Sequence, residues 1–190
     1  MSELTEISKR FKEQADKLLI KTGLVEDLEK YGKVYFTGAY AGSLMMHGDV
    51  DITVVRDKPY SIEEVFEIFK CLYFKRKLRS YFIGGDWDDP RKGTEFPNGY
   101  YFGLKEKIGG ERWKFDVWFI SEKDFKERNK LFSINKIELT DEQREQILFF
   151  KKYRKDNKLD VLGQTIYKAV LEGKCRTIKE FENYIDKVGV

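Results

Sequence analysis

Histidine occurs once in the 190 residues and cysteine twice. His47, Cys71 and Cys175 lie too far apart to give zinc-ligand spacing, and two distant thiols make no disulfide framework. Both cysteines fall in helical patterns and are expected as core or half-buried thiols. No apolar run approaches the length of a membrane span, and the Glu/Lys-rich N-terminus lacks the apolar centre of a secretion signal. The expected compartment is therefore the cytoplasm, with no membrane partner. Nor does one sign of charge dominate: Lys and Arg number 36 against 33 Asp and Glu, a net +3. That balance is too mild to argue for nucleic acid by itself, does not exclude it, and permits an anionic nucleotide. No repeat, low-complexity tract or long linker is present.

What is present is packing material and solvating charge in quantity. Aromatic residues make up 15% of the chain and charged residues 36%, which excludes disorder. The length suits one domain, or a core with a helical appendage. The texture changes near residue 130. Residues 1–130 mix strand and helix patterns, and residues 131–190 read as helices alone. The expected class is α+β, a mixed sheet with flanking helices and an all-helical C-terminal extension.

Along the chain, residues 2–22 carry Leu4, Ile7, Phe11, Ala15, Leu18 and Leu19 on one helical stripe, ended by Gly23. A shorter helix over 24–31 stops at Gly32. Ser61 and Glu64 form a capping box opening a helix whose stripe, Ile62, Val65, Phe66, Phe69, Leu72 and Tyr73, is expected in the core. That helix ends in Lys75, Arg76, Lys77 and Arg79, expected as solvated cations that suit the helix dipole, with contact to a phosphate as the alternative. Residues 80–83 are a short strand. Residues 84–99 are an irregular segment holding Asp86, Trp87, Asp88, Asp89, Arg91 and Lys92, either a plain excursion or the side from which an acceptor is met. Residues 100–104 and 112–120 form a hairpin across Gly109-Gly110. Ser121 to Asp124 can cap a short helix. Helices follow over 140–157, 160–172 and 177–188. Lys151, Lys152, Arg154, Lys155 and Lys158 make the first of these basic near its end and are expected on a solvated face, with substrate contact as the alternative.

The rest is organised around residues 34–55. A strand over 33–37 runs into Gly38-Ala39, a bridging segment follows, and a second strand opens with Asp49-Val50-Asp51. Strand side chains alternate, so Asp49, Asp51 and Thr53 share one face while Val50, Ile52 and Val54 take the other. Carboxylates two apart lie roughly 7 Å apart at Cα and raise each other's pKa unless a cation intervenes. Oxygen-only ligands suit Mg²⁺ or Mn²⁺ better than zinc. Asp116 sits inside the apolar strand over 112–120, where a charge is costly unless paired or metal-bound. If the two strands are neighbours, three carboxylates converge. The bland alternative is that Asp49 caps a turn and Asp116 pairs with Lys114 or an arginine. His47 reads as a solvated turn residue whose position permits substrate contact.

Strand, Gly38-Ala39, nine residues (40–48), Asp49-Val50-Asp51 and a later strand Asp116 resemble the nucleotidyltransferase superfamily with its polymerase-beta-like fold. The family usually has Ser or Gly at the position of Ala39, so a hydroxyl contact to phosphate is missing here, with Ser43 as a substitute. The resemblance implies a nucleotidyltransferase-like core. It implies transfer of a nucleoside monophosphate from an NTP such as ATP to an acceptor hydroxyl, with release of pyrophosphate. Asp49, Asp51 and Asp116 would be catalytic and hold Mg²⁺ or Mn²⁺. Gly38, Ala39 and Ser43 would meet the nucleotide phosphates. The expected acceptor is a small molecule or a protein. The competing readings are a nucleotide-binding or regulatory module that has lost transfer, and a metal-dependent phosphohydrolase using the same acids.

Overall fold

The structure is a computed structural model and describes residues 2–85, 98–128 and 134–189. Five runs of alternating apolar and polar residues form one mixed sheet: β1 (Lys33–Thr37), β2 (Gly48–Arg56), β3 (Leu78–Gly85), β4 (Gly99–Ile108) and β5 (Glu111–Ser121), in the order β1-β2-β5-β4-β3. β1 is antiparallel to β2, β2 is parallel to β5, and β3, β4 and β5 form an antiparallel meander. Parallel neighbours need a crossover, and the helix after β2 supplies it by carrying the chain to the far edge.

Among the described residues there are eight α-helices: α1 (Glu3–Thr22), α2 (Leu24–Glu29), α3 (Gly38–Ala41), α4 (Ile62–Lys75), α5 (Glu122–Arg128), α6 (Asp141–Asp156), α7 (Gly163–Leu171) and α8 (Ile178–Val188). Their ends follow local chemistry. Gly23 takes a left-handed conformation (φ 61°) at the end of α1, and capping boxes open α4 (Ser61, Glu64), α6 (Thr140, Gln143) and α8 (Thr177, Glu180). α7 starts at Gly163, later than its pattern suggests, and Cys175 lies buried in the connection to α8 rather than within a helix. Cys71, on α4, is exposed.

One sheet face is largely apolar, with Glu106 as the buried acid on it. Val50, Ile52, Val54, Phe102, Leu104, Phe115, Val117 and Phe119 are buried there against Ala15, Leu18, Leu24, Leu28, Val65, Ile68 and Leu72 of α1, α2 and α4. A second cluster joins Ile147, Phe150, Ile166, Val170, Phe181 and Ile185 of α6, α7 and α8 to Leu44 and Met46 of the segment before β2, with Leu4 and Ile7 of α1 packed on it. The C-terminal helices are thus built onto the core. No helix of the described residues is long and apolar enough to cross a membrane.

Two sequence expectations fail on α4. Its buried stripe is Val65, Ile68 and Leu72, while Ile62, Phe66 and Tyr73 are exposed. The buried row is the neighbouring one on the helix, and of the expected aromatics only Phe69 turns inward, against Tyr81 and Phe102. Arg76 is not solvated either. Its side chain is 3% exposed and lies between Asp27 and Glu106, with one guanidinium N–H donating to the Thr22 carbonyl. Burial raises the Glu106 pKa, and Arg76 opposes that rise. Removing the cation would leave Glu106 buried without a partner. Arg76→Ala is therefore expected to cost ~3–5 kcal/mol, read as a lowered urea midpoint, whereas Lys77→Ala, at an exposed neighbouring position, leaves the midpoint unchanged.

Candidate active site

The parallel register of β2 and β5 decides where the acids go. Asp51 is paired across the strands with Asp116, and Asp49 with Lys114. Residues paired this way in neighbouring strands project to one side, so Asp49, Asp51 and Asp116 stand together on the sheet face away from the main core. Thr37 of β1 and Gly103 of β4 extend the same row. Below the acids Trp118, Val55 and Ile120, with Tyr35, Tyr101 and Phe125, form a small apolar floor. Burial and nearby acid charge push the carboxylates up. Asp51 rises to about 7, through burial first and then the charges of Asp49 and Asp116. Asp116 rises by burial and by Asp49, and Asp49 rises by burial despite Lys114, Lys151 and Arg154.

Their hydrogen bonding separates the three. Asp116 accepts from Tyr101 Oη on one oxygen and from Lys114 Nζ on the other, each at 2.5 Å. The pairing with Lys114 anticipated from sequence therefore coexists with the convergence of the acids. Among the described residues the carboxylates of Asp49 and Asp51 accept no hydrogen bond, and Asp49 Oδ1 is buried without a partner. Also among the described residues, no group of three or more His, Cys, Asp or Glu side chains is poised as a metal centre. The pair with spare ligand capacity is Asp49 and Asp51.

Gly38 and Asp51 are brought together. Gly38 closes β1 with φ 63°, and a Cβ there would lie 1.9 Å from Asp51 Oδ2, so only glycine permits that carboxylate position. Ala39 is half-buried against the main core. Ser43 is exposed at φ 53°, and its carbonyl accepts from Ser8 Oγ at 2.9 Å and from Arg144 Nη1 at 3.2 Å. It lines neither of the hollows described next. Asp86, Asp88 and Asp89 of the irregular segment lie outside the described residues.

The solvated reading of Lys151 is overturned. Its side chain is buried, 4% exposed as a residue, and Nζ donates to the Leu44 carbonyl at 2.6 Å with Tyr167 Oη 3.5 Å away. Desolvation and Arg154 lower its pKa to about 8, while Asp51 and Asp49 act in the opposite sense. Spacing could have revealed it. Lys151 follows Ile147 by four and Leu148 by three, so it lies on the buried stripe of α6.

Two hollows lie near the acids, and Asp49 lines the larger. A cleft of about 430 Å³ is lined by Asp49, Arg79, Lys105, Arg112, Trp113 and Lys114 among others. A smaller one of about 290 Å³ is lined by Met46, Lys151, Arg154, Lys155 and Lys158 among others. His47 lines both. Crowding by protein, then Lys151, Arg154, Lys155 and Lys114, lower its pKa to about 4, so the imidazole is neutral at pH 7.

Compared with known proteins, the chain matches no family model and no curated protein.

The Asp51 shift has a measurable sign. Its folded pKa lies above the unfolded value, so the folded state binds more protons and loses stability as pH rises from about 4 to about 7. His47, lowered in the fold, works oppositely between about 6.5 and 4 and is common to parent and variant. Without divalent ions, Asp51→Asn is expected to be the more stable protein at pH 8 by a few kcal/mol, with the difference shrinking towards pH 4. Melting both proteins across that range measures it.

Proposed function

We propose that this chain is a divalent-metal-dependent nucleotidyltransferase on a polymerase-beta-like core. The observation that carries the reading is the β2–β5 register, which sets Asp51 beside Asp116 with Asp49 on the same face. The all-oxygen donor set and the unpartnered Asp49 Oδ1 fit Mg²⁺ or Mn²⁺. Asp49 and Asp51 would hold the ion, with Asp116 beside them. Bound there, the ion neutralises phosphate oxygens and eases deprotonation of an acceptor hydroxyl.

The chain's own groups supply the rest. Gly38 leaves the backbone at the end of β1 bare beside Asp51, so a phosphate could approach it closely. Lys151, Arg154, Lys155 and Lys158 offset the charge of a triphosphate. Asp116, whose raised pKa supports the role, would take the hydroxyl proton as the Tyr101 and Lys114 hydrogen bonds rearrange. The acceptor oxygen forms a bond to the α-phosphorus as the bond from that phosphorus to the bridging oxygen breaks. The products are a nucleotidyl ester and pyrophosphate. In-line positioning and fixed charge account for most of the rate.

A second reading, a nucleotide-binding module without transfer, is favoured by one observation: both oxygens of Asp116 are already engaged. Titrating the four NTPs in Mg²⁺ and following pyrophosphate separates the two. Transfer requires binding and pyrophosphate release with label moving to an acceptor. A pure binder releases none. Asp51→Asn is expected to lower Mg²⁺–nucleotide affinity by at least tenfold, or about 1.4 kcal/mol, while remaining folded. Unchanged binding in that variant would remove the site.

A further inference from the structure

A single triphosphate calls for one cluster of cations, and among the described residues two line the hollows that share His47. The smaller hollow is the denser: Lys151, Arg154, Lys155 and Lys158 come from one helix and its end, and Lys151 and Arg154 act directly on Asp49. That density suits the most highly charged ligand, the triphosphate. The larger cleft then stands beside the same acids with its own cations, Arg79, Lys105 and Arg112.

Those three share the cleft with the acids Asp49 and Glu106 but, among the described residues, pair with neither. Among the described residues none of them forms an ion pair. Lys114, also in the cleft, is already committed to Asp116, and Glu106 is turned towards Arg76. Register sets Lys105 and Arg112 on the acid-bearing face, since Lys105 pairs with Lys114 across the strands and Arg112 is two residues before Lys114. Arg79 joins them from the irregularity in β3 between Leu78 and Ser80. Guanidinium groups match phosphate oxygens in pairs of parallel hydrogen bonds, and a dianion compensates three cations better than a single carboxylate does. The cleft volume of about 430 Å³ lies within the ~300–1,000 Å³ typical of small-molecule sites.

We propose that the larger cleft receives the acceptor, and that the acceptor is a small hydroxyl compound bearing a phosphate monoester held by Arg79, Lys105 and Arg112. This rests on the nucleotidyl-transfer reading. The acceptor's phosphate remains intact. Its hydroxyl oxygen, at the Asp49 end, bonds to the nucleotide α-phosphorus, pyrophosphate leaves, and the hydroxyl proton is released. The product is a phosphorylated compound carrying a nucleoside monophosphate ester.

The test uses the full chain in Mg²⁺, saturated with a non-hydrolysable analogue of the NTP that binds best. Inorganic phosphate is then titrated calorimetrically, with acetate as the carboxylate control. Phosphate is expected to bind the nucleotide complex and acetate to bind it more weakly. Arg79→Gln with Arg112→Gln, both exposed positions, should weaken phosphate by about tenfold or more and leave analogue affinity unchanged. Lys155→Gln with Lys158→Gln should weaken the analogue and spare phosphate. If the analogue binds and phosphate does not, if acetate binds equally well, or if the arginine variant keeps its phosphate affinity or loses the analogue instead, the acceptor assignment is overturned. Failure of the parent protein to bind any analogue overturns the nucleotidyl-transfer reading, and this inference with it.

Discussion

The parallel ladder between β2 and β5 governs this molecule. Side chains in a strand alternate with a period of two, so one registration of two strands assigns every residue on both to a face. In the observed register Val50, Ile52, Val117 and Phe119 enter the core, and Asp49, Asp51 and Asp116 leave it. A slip of one residue would put Asp116 among the phenylalanines and Val117 beside Asp51. The apolar face therefore fixes the acidic one. The energy that holds the carboxylates together comes from burial on the opposite side of the sheet, where α1, α2 and α4 pack.

That arrangement is electrostatically uncomfortable, and the surrounding residues show how the discomfort is managed. Carboxylates crowded at one spot repel and are partly withdrawn from water, and each is pushed towards protonation. Lys114 answers for Asp116 directly, and Lys151 answers at longer range from α6. The site is thus a balance of acids and cations contributed by widely separated parts of the chain. Perturbed groups cluster at functional positions because function requires charge where folding alone would not put it. Here the perturbation extends to a lysine whose own pKa falls to about 8.

Much of this was legible in the sequence, for reasons that differ by element. Gly23 and the capping pairs Ser61–Glu64, Thr140–Gln143 and Thr177–Glu180 are local chemistry, and local chemistry marked those helix ends closely. β1 and the β4–β5 hairpin follow from alternation and from Gly109-Gly110. The acids on β2 were assigned to a shared face by the same alternation, and only the neighbour relation of β2 and β5 awaited the structure. What could not be read was which long cations are buried. Arg76 lies in a run of three basic residues and Lys151 in a basic helix end, so composition argues for water in both cases. Their burial depends on partners distant in sequence: Asp27 and Glu106 for one, the Leu44 carbonyl for the other. The exposed Phe66 and Tyr73 reflect a similar limit, because two adjacent helical rows were both apolar and the sheet could cover only one.

The bond from Lys151 to the Leu44 carbonyl has a mechanical meaning as well. Leu44 belongs to the segment that leads into β2, yet its side chain is packed among α6, α7 and α8. Peeling the C-terminal helices from the sheet would strand a carbonyl, bare a dehydrated ammonium group and empty the seat of Leu44 at once. Each loss is unfavourable, and together they penalise any half-detached state. The helical extension and the sheet are therefore expected to come apart as one cooperative unit, so the ammonium group that acts on Asp49 and Asp51 stays in place for as long as the molecule is folded.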